Sequence, residues 1–208
     1  MRKNHFMGRT GLFLSVLSIL VSSCISENEG PLIEEVSIEK ELSGGIVSGG
    51  ENLRKGDFYR YQEKFSNSIF QVDSPNGFML PGTGVGNATF MGKSISFINQ
   101  VVTGETTTEG VPVTLIFGDA LAEMGLIGIP DYVHSITMDK KGNALFFSSG
   151  TNYATPISET RTEFEAEVTI VGGIGLFENA SGTGKVTGFY NPTNGKGKSA
   201  IVADLMFK

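Results

Sequence analysis

The sequence predicts an all-β domain: one antiparallel β-barrel of about eight strands with one short helix. Three observations carry this. Short segments alternate apolar and polar residues with a period of two, as a half-buried strand must. Clusters of Gly, Asn, Asp, Ser and Pro separate them at the spacing of hairpin turns. The 208 residues include 28 Gly and 15 Phe but no Trp, and several of the glycines fall inside strand patterns, where they mark tight bends.

The alternation is clearest from Glu163 to Val171. Phe164, Ala166, Val168 and Ile170 share one face; Glu163, Glu165, Glu167 and Thr169 share the other. Gly184 to Tyr190 is a second strand, Asn191 to Gly195 a turn, and Ser199 to Phe207 a third strand, apolar on both faces except at Asp204.

Earlier in the domain, Phe58, Arg60, Gln62 and Lys64 alternate with Tyr59, Tyr61, Glu63 and Phe65. Residues 69–72 pair back onto this segment, and Asp73 to Gly77 is a turn. Gly86 to Val102 is a strand pair or one bent strand, with a bulge at Gly92. Val111 to Phe117 is a further strand. Asp119 then caps a short helix of good formers, Ala120 to Met124, ended by Gly125 and set over a barrel mouth. His134 to Met138 and Ala144 to Ser148 are strands, and Gly150 to Thr160 is a loop.

The start of the chain has a different grammar. Arg2, Lys3 and Arg9 precede an apolar run from Leu12 to Val21, and Ser22 and Ser23 follow, so residues 1–23 form a signal peptide, too short for a stable span. Val21-Ser22-Ser23-Cys24 resembles the lipobox of bacterial lipoproteins, which implies that Cys24 becomes a lipidated N-terminus. Acyl chains anchor through about 0.8 kcal/mol per buried methylene, and stable anchoring takes more than one chain. Cys24 is the one Cys of the chain, which excludes an intramolecular disulfide. Residues 24–56 are acidic and poor in apolar side chains, the composition of a flexible tether. The acidic residues after Cys24 resemble the surface-export signal of Bacteroidetes lipoproteins. The expected location is therefore the bacterial cell envelope, lipid-anchored to the outer membrane, with either leaflet, the surface-exposed one included, left open. Residues 57–208 are the barrel domain.

Loss of the leader removes three basic residues and takes the net charge from −6 to −9. That balance argues against nucleic acid as a partner and against electrostatic docking on anionic lipid.

Three stretches resemble a known family. They are Gly86 to Ser94 (GNATFMGKS), Ile136 to Phe147 (ITMDKKGNALFF) and Gly172 to Gly188 (GGIGLFENASGTGKVTG). Their order is similar to that of the secreted barrels related to allene oxide cyclase and dirigent proteins, and implies a calycin-like barrel. Leu176 stands where the pattern usually has Arg or Lys, and Gly118 to Pro130 is an insert. The resemblance implies a fold; no residue of this chain matches a cyclase active site, and fold alone does not carry function.

No catalytic constellation stands out. Gly82-Thr-Gly-Val-Gly86 lacks the spacing and the helix of a dinucleotide loop. Gly197-Lys198-Ser199 and Gly92-Lys93-Ser94 lack the upstream glycine of a phosphate loop. With His5 in the leader, His134 is the one histidine of the domain, so neither a histidine-rich metal site nor a cofactor is expected. Asp131 lies near it, but no Ser sits in a nucleophile elbow.

The candidate pocket residues are Tyr59, Tyr61, His134 and Glu165, which combine hydrogen-bonding tips with one acid. The expected function is non-enzymatic: an envelope lipoprotein binding a small apolar ligand or a protein partner. The alternatives are an isomerase or cyclase of the allene oxide cyclase type and a structural or adhesin-like surface protein. An enzyme calls for a cavity above about 300 Å³ with an inward carboxylate or Tyr.

Overall fold

The computed structural model describes residues 56–75 and 77–207. The expected signal peptide, Cys24 and nearly all of the expected tether lie outside the described residues.

Among the described residues there are thirteen strands. They are β1 (Phe58–Ile69), β2 (Val72–Ser74), β3 (Gly77–Met79), β4 (Gly82–Ala88), β5 (Gly92–Ile98), β6 (Gln100–Gly104), β7 (Thr107–Gly110), β8 (Ser135–Asp139), β9 (Ala144–Ser149), β10 (Asn152–Ser158), β11 (Arg161–Ile174), β12 (Ala180–Tyr190) and β13 (Lys196–Phe207). One helix, α1 (Thr114–Glu123), lies between β7 and β8.

Eight strands close a ring in the order β12-β13-β1-β4-β5-β8-β9-β11, completed by the pairing of β11 with β12. Every pairing in the ring is antiparallel. The all-β barrel with one helix is therefore the architecture of the domain. Closure removes the exposed edges that an open sheet would present.

The remaining strands continue one side of the barrel. The second half of β11 pairs with β9, and its first half pairs on the same edge with β10. From β10 the sheet runs on through β7, β6, β3 and β2.

Side-chain alternation decides what the barrel holds. On β11, Ala166, Val168 and Ile170 are buried while Glu165, Glu167 and Thr169 are exposed, as the period-two pattern requires. At one end the interior is packed by Tyr61, Leu145, Phe147, Ile170, Phe177 and Leu205 with their neighbours. Gly188 makes room inside: a Cβ there would meet the ring of Phe164 and the carbonyl of Lys198.

A second apolar layer lies outside the ring. Phe97, Ile136, Met138, Ala144 and Phe146 project from β5, β8 and β9 and are covered by Val113, Phe117 and Leu121 of the helical segment. Phe97 and Phe117 meet at 5.2 Å between ring centroids. Part of the high Phe content thus covers the outer wall rather than filling the interior.

The structure corrects four sequence expectations. Residues 69–72 do not pair back onto the first strand: β1 runs on to Ile69, and Val72 pairs with Met79 of β3. The helix starts at Thr114, not after Asp119, and Val113, Phe117 and Leu121 recur at helical spacing, so burying that face outweighs the strand preference of residues 111–117. Asp119 sits exposed within the helix, and α1 lies on the barrel wall rather than over a mouth. Residues 152–158 form β10 rather than a loop. Pro156 is tolerated because β7 pairs only with Asn152 and Tyr153, which leaves that edge free where the N–H is missing.

Gly86 to Val102 resolves into a hairpin, with β4 and β5 paired from Gly82↔Ile98 to Ala88↔Gly92. Phe90 in its turn has φ of 68° and Gly92 φ of 66°, so both occupy the left-handed region.

Candidate functional site

The first strand sets the site. On β1, Tyr61 and Glu63 are both buried, at 0% and 5% exposure, while Arg60 and Lys64 on either side of the pair face water. Glu63 lies opposite Ile201 of β13 and Ala88 of β4, two apolar partners that offer it nothing to bond. Its polar contacts come from two hydroxyls. Tyr61 Oη donates to Glu63 Oε2 at 2.6 Å, and Thr137 Oγ1 from β8 donates to the same oxygen at 2.8 Å. Oε1 accepts no hydrogen bond from the described residues.

Burial dominates the ionisation of this group. Removal from water pushes the Glu63 carboxyl up to about 7, although the hydrogen bonds from Tyr61 and Thr137 pull the other way. Burial, and then the charge of Glu63, raises the Tyr61 phenol well above its ordinary range, so Tyr61 stays protonated and remains a donor. Because both hydroxyls occupy Oε2, the proton of the neutral acid belongs on Oε1.

Above the packed end, Glu63 and Thr137 line a partly open cavity of about 90 Å³. Its wall is apolar at Ile98, Phe164, Ala166, Val168, Val186 and Ile201. A polar group from β6, β7 and β10 also contributes: Gln100 Oε1 accepts from Thr108 Oγ1 at 2.7 Å and from Asn152 Nδ2 at 3.2 Å. Gly84 keeps part of the space open, since a Cβ there would run into Ser96 Oγ and Asn67 Oδ1. Pockets for drug-sized ligands run from about 300 to 1,000 Å³, so this cavity suits a smaller molecule. A larger depression of about 520 Å³ lies over β4, β1, β13 and β12, lined by Lys64, Val85, Asn87, Thr187, Phe189 and Lys198. It is an open saddle whose ionisable groups, the two lysines, are exposed.

The four residues singled out from sequence do not form one site. Tyr61 stands beneath the cavity as a partner of Glu63. Tyr59 packs at the closed end, edge-on to Phe90 at 6.0 Å and to Phe207 at 5.8 Å. His134 accepts the Ser149 N–H on Nδ1 at 3.1 Å, burial lowers its pKa, and it lies outside the cavity lining. Glu165 faces outwards, with Oε2 at 2.7 Å from Lys185 Nζ, because its place in the β11 alternation is the wet face. Sequence reasoning missed Glu63 and Thr137. The signal for Glu63 was present: a carboxylate on the face that also carries Tyr61.

Among the described residues, no group of three His, Cys, Asp or Glu could hold a metal ion. No family model matches the sequence. No curated protein matches it. Among solved structures, the pterocarpan synthase dirigent protein PsPTS1 matches with 17% identity and a TM-score of 0.44, covering 75% of this chain and 99% of that one.

Proposed function

We propose that the barrel is a binding module for a small, largely apolar molecule, with Glu63 as the polar anchor at the floor of the cavity. One observation carries this reading: a buried carboxyl lines an apolar cavity with one oxygen occupied by the protein and the other uncommitted. Buried polar groups are normally satisfied, so an uncommitted oxygen facing a cavity is a place for a ligand atom. The sequence of residues 1–24 supports the rest of the proposal, an envelope lipoprotein held on the membrane through acylated Cys24.

Native mass spectrometry of the purified full chain tests the binding. The wild type should carry a discrete added mass, and Ala166→Phe, which fills the cavity from β11, should lose it. Equal masses for the two, both matching the bare chain, would reject the proposal.

A second reading rests on the same carboxyl. With an ionisation midpoint of about 7, Glu63 can hold or give a proton at neutral pH, as a general acid or base must. On this reading the module is an isomerase or cyclase, against which the cavity volume of about 90 Å³ counts, since such an enzyme calls for more than about 300 Å³. Glu63→Gln would then abolish turnover of the bound molecule while leaving its mass on the protein.

A further inference from the structure

We propose that the molecule held by the cavity is a small organic cation, a protonated amine on a short apolar body, whose ammonium group pairs with Glu63 Oε1. This deepens the binding reading above and rests on it.

Several observations converge on a cation. The Tyr61 hydroxyl approaches Oε2 at 2.6 Å, in the range of O–H bonds to a charged carboxylate, and Thr137 adds a second donor to that oxygen. The protein therefore solvates one half of a carboxylate and leaves the other half bare. A buried carboxylate is costly without a countercharge. The chain supplies none, since no Lys, Arg or His lines the cavity. Tyr190 is the one other ionisable group in the lining; Ile201, Ala88 and Val168 on neighbouring strands are apolar. An ammonium group donates the hydrogen bonds Oε1 lacks and balances the charge in one contact.

The rest of the cavity fits the same ligand. Phe164 and Tyr190 lie on its wall with ring centroids 6.5 Å apart, and aromatic faces attract cations. Val168, Val186 and Ile201 receive an apolar body. The volume of about 90 Å³ restricts that body to a few carbons. The net charge of −6 draws cations toward the protein and repels anions.

Three probes of equal length separate the possibilities: n-pentylamine, 1-pentanol and pentanoate, each titrated calorimetrically into the full chain at pH 5, 6, 7 and 8. Pentylamine should bind, with affinity rising roughly tenfold per pH unit up to pH 7 and levelling by pH 8, as Glu63 ionises while the amine stays charged. Pentanol should bind at least about tenfold more weakly than pentylamine at pH 8, without that rise, and pentanoate should give no heat. Glu63→Gln should bring pentylamine to within about threefold of pentanol. If this variant misfolds by circular dichroism, the wild-type pH series decides alone.

Pentanol binding as tightly as pentylamine, or pentylamine weakening as pH rises from 5 to 8, would overturn the cation while leaving the binding module in place. Silence from all three probes also overturns the cation. The mass measurement on wild type and Ala166→Phe then judges the binding module separately.

Discussion

Glu63 is a residue whose stability cost depends on pH in a definite sense. In the unfolded chain it loses its proton near the usual 4.5; in the fold it keeps it up to about 7. Between those values the native state holds the extra proton, so stability is greatest below pH 4.5 and falls as pH rises to about 7. The loss is on the order of 3 kcal/mol at one pKa unit per 1.36 kcal/mol. Urea unfolding of wild type and Glu63→Gln at pH 4.5, 6 and 7.5 checks it. The wild type should lose about that much relative to the variant across the window; a constant difference would show that Glu63 does not ionise inside the barrel. The sequence placed Glu63 on the Tyr61 face, yet one charge on such a face carries no weight until Thr137, 74 residues away, is known to reach it. The run Glu163, Glu165, Glu167 was more conspicuous, but it lies on the outer side of β11, where Lys185 and Arg161 meet its carboxylates.

At the scale of elements, α1 owes its position to one stripe. Phe117 and Leu121 are buried against the outer wall, while Leu115 is 63% exposed. Leu121→Ala should therefore cost about 2–5 kcal/mol in chemical denaturation, through lost burial and the cavity left behind. Leu115→Ala should stay within about 0.5 kcal/mol. Equal effects would mean that α1 does not use this face against the barrel. The strand alternation of β11 and β12 was legible because each faces water on one side, which keeps polar residues in nearly every second place. The helix boundary was not, because Val113 to Phe117 contains β-branched residues whose local preference points the other way. The missing information was the apolar outer face of β5, β8 and β9, which only the assembled sheet presents.

For the whole molecule, the eight-strand ring joins β11 to β12 and leaves β10, β7, β6, β3 and β2 as an extension on one side. The proposed anchor belongs to this scale as well, because acyl chains on Cys24 would hold the domain at a bilayer. Cys24→Ala should move the protein from the membrane fraction to the soluble fraction; unchanged detergent partitioning would reject the anchor. By itself the sequence determined the fold class, since period-two patterning and turn residues act over a few positions and survive in the linear text. Tertiary structure alone decided which residues became chemistry. Alternation assigns each side chain to a face, but whether that face holds packed rings, an apolar cavity or water depends on strands far apart in the chain. Glu63 acquires its displaced ionisation only when β1, β8 and β13 close around it and shut out the solvent that would keep it ordinary.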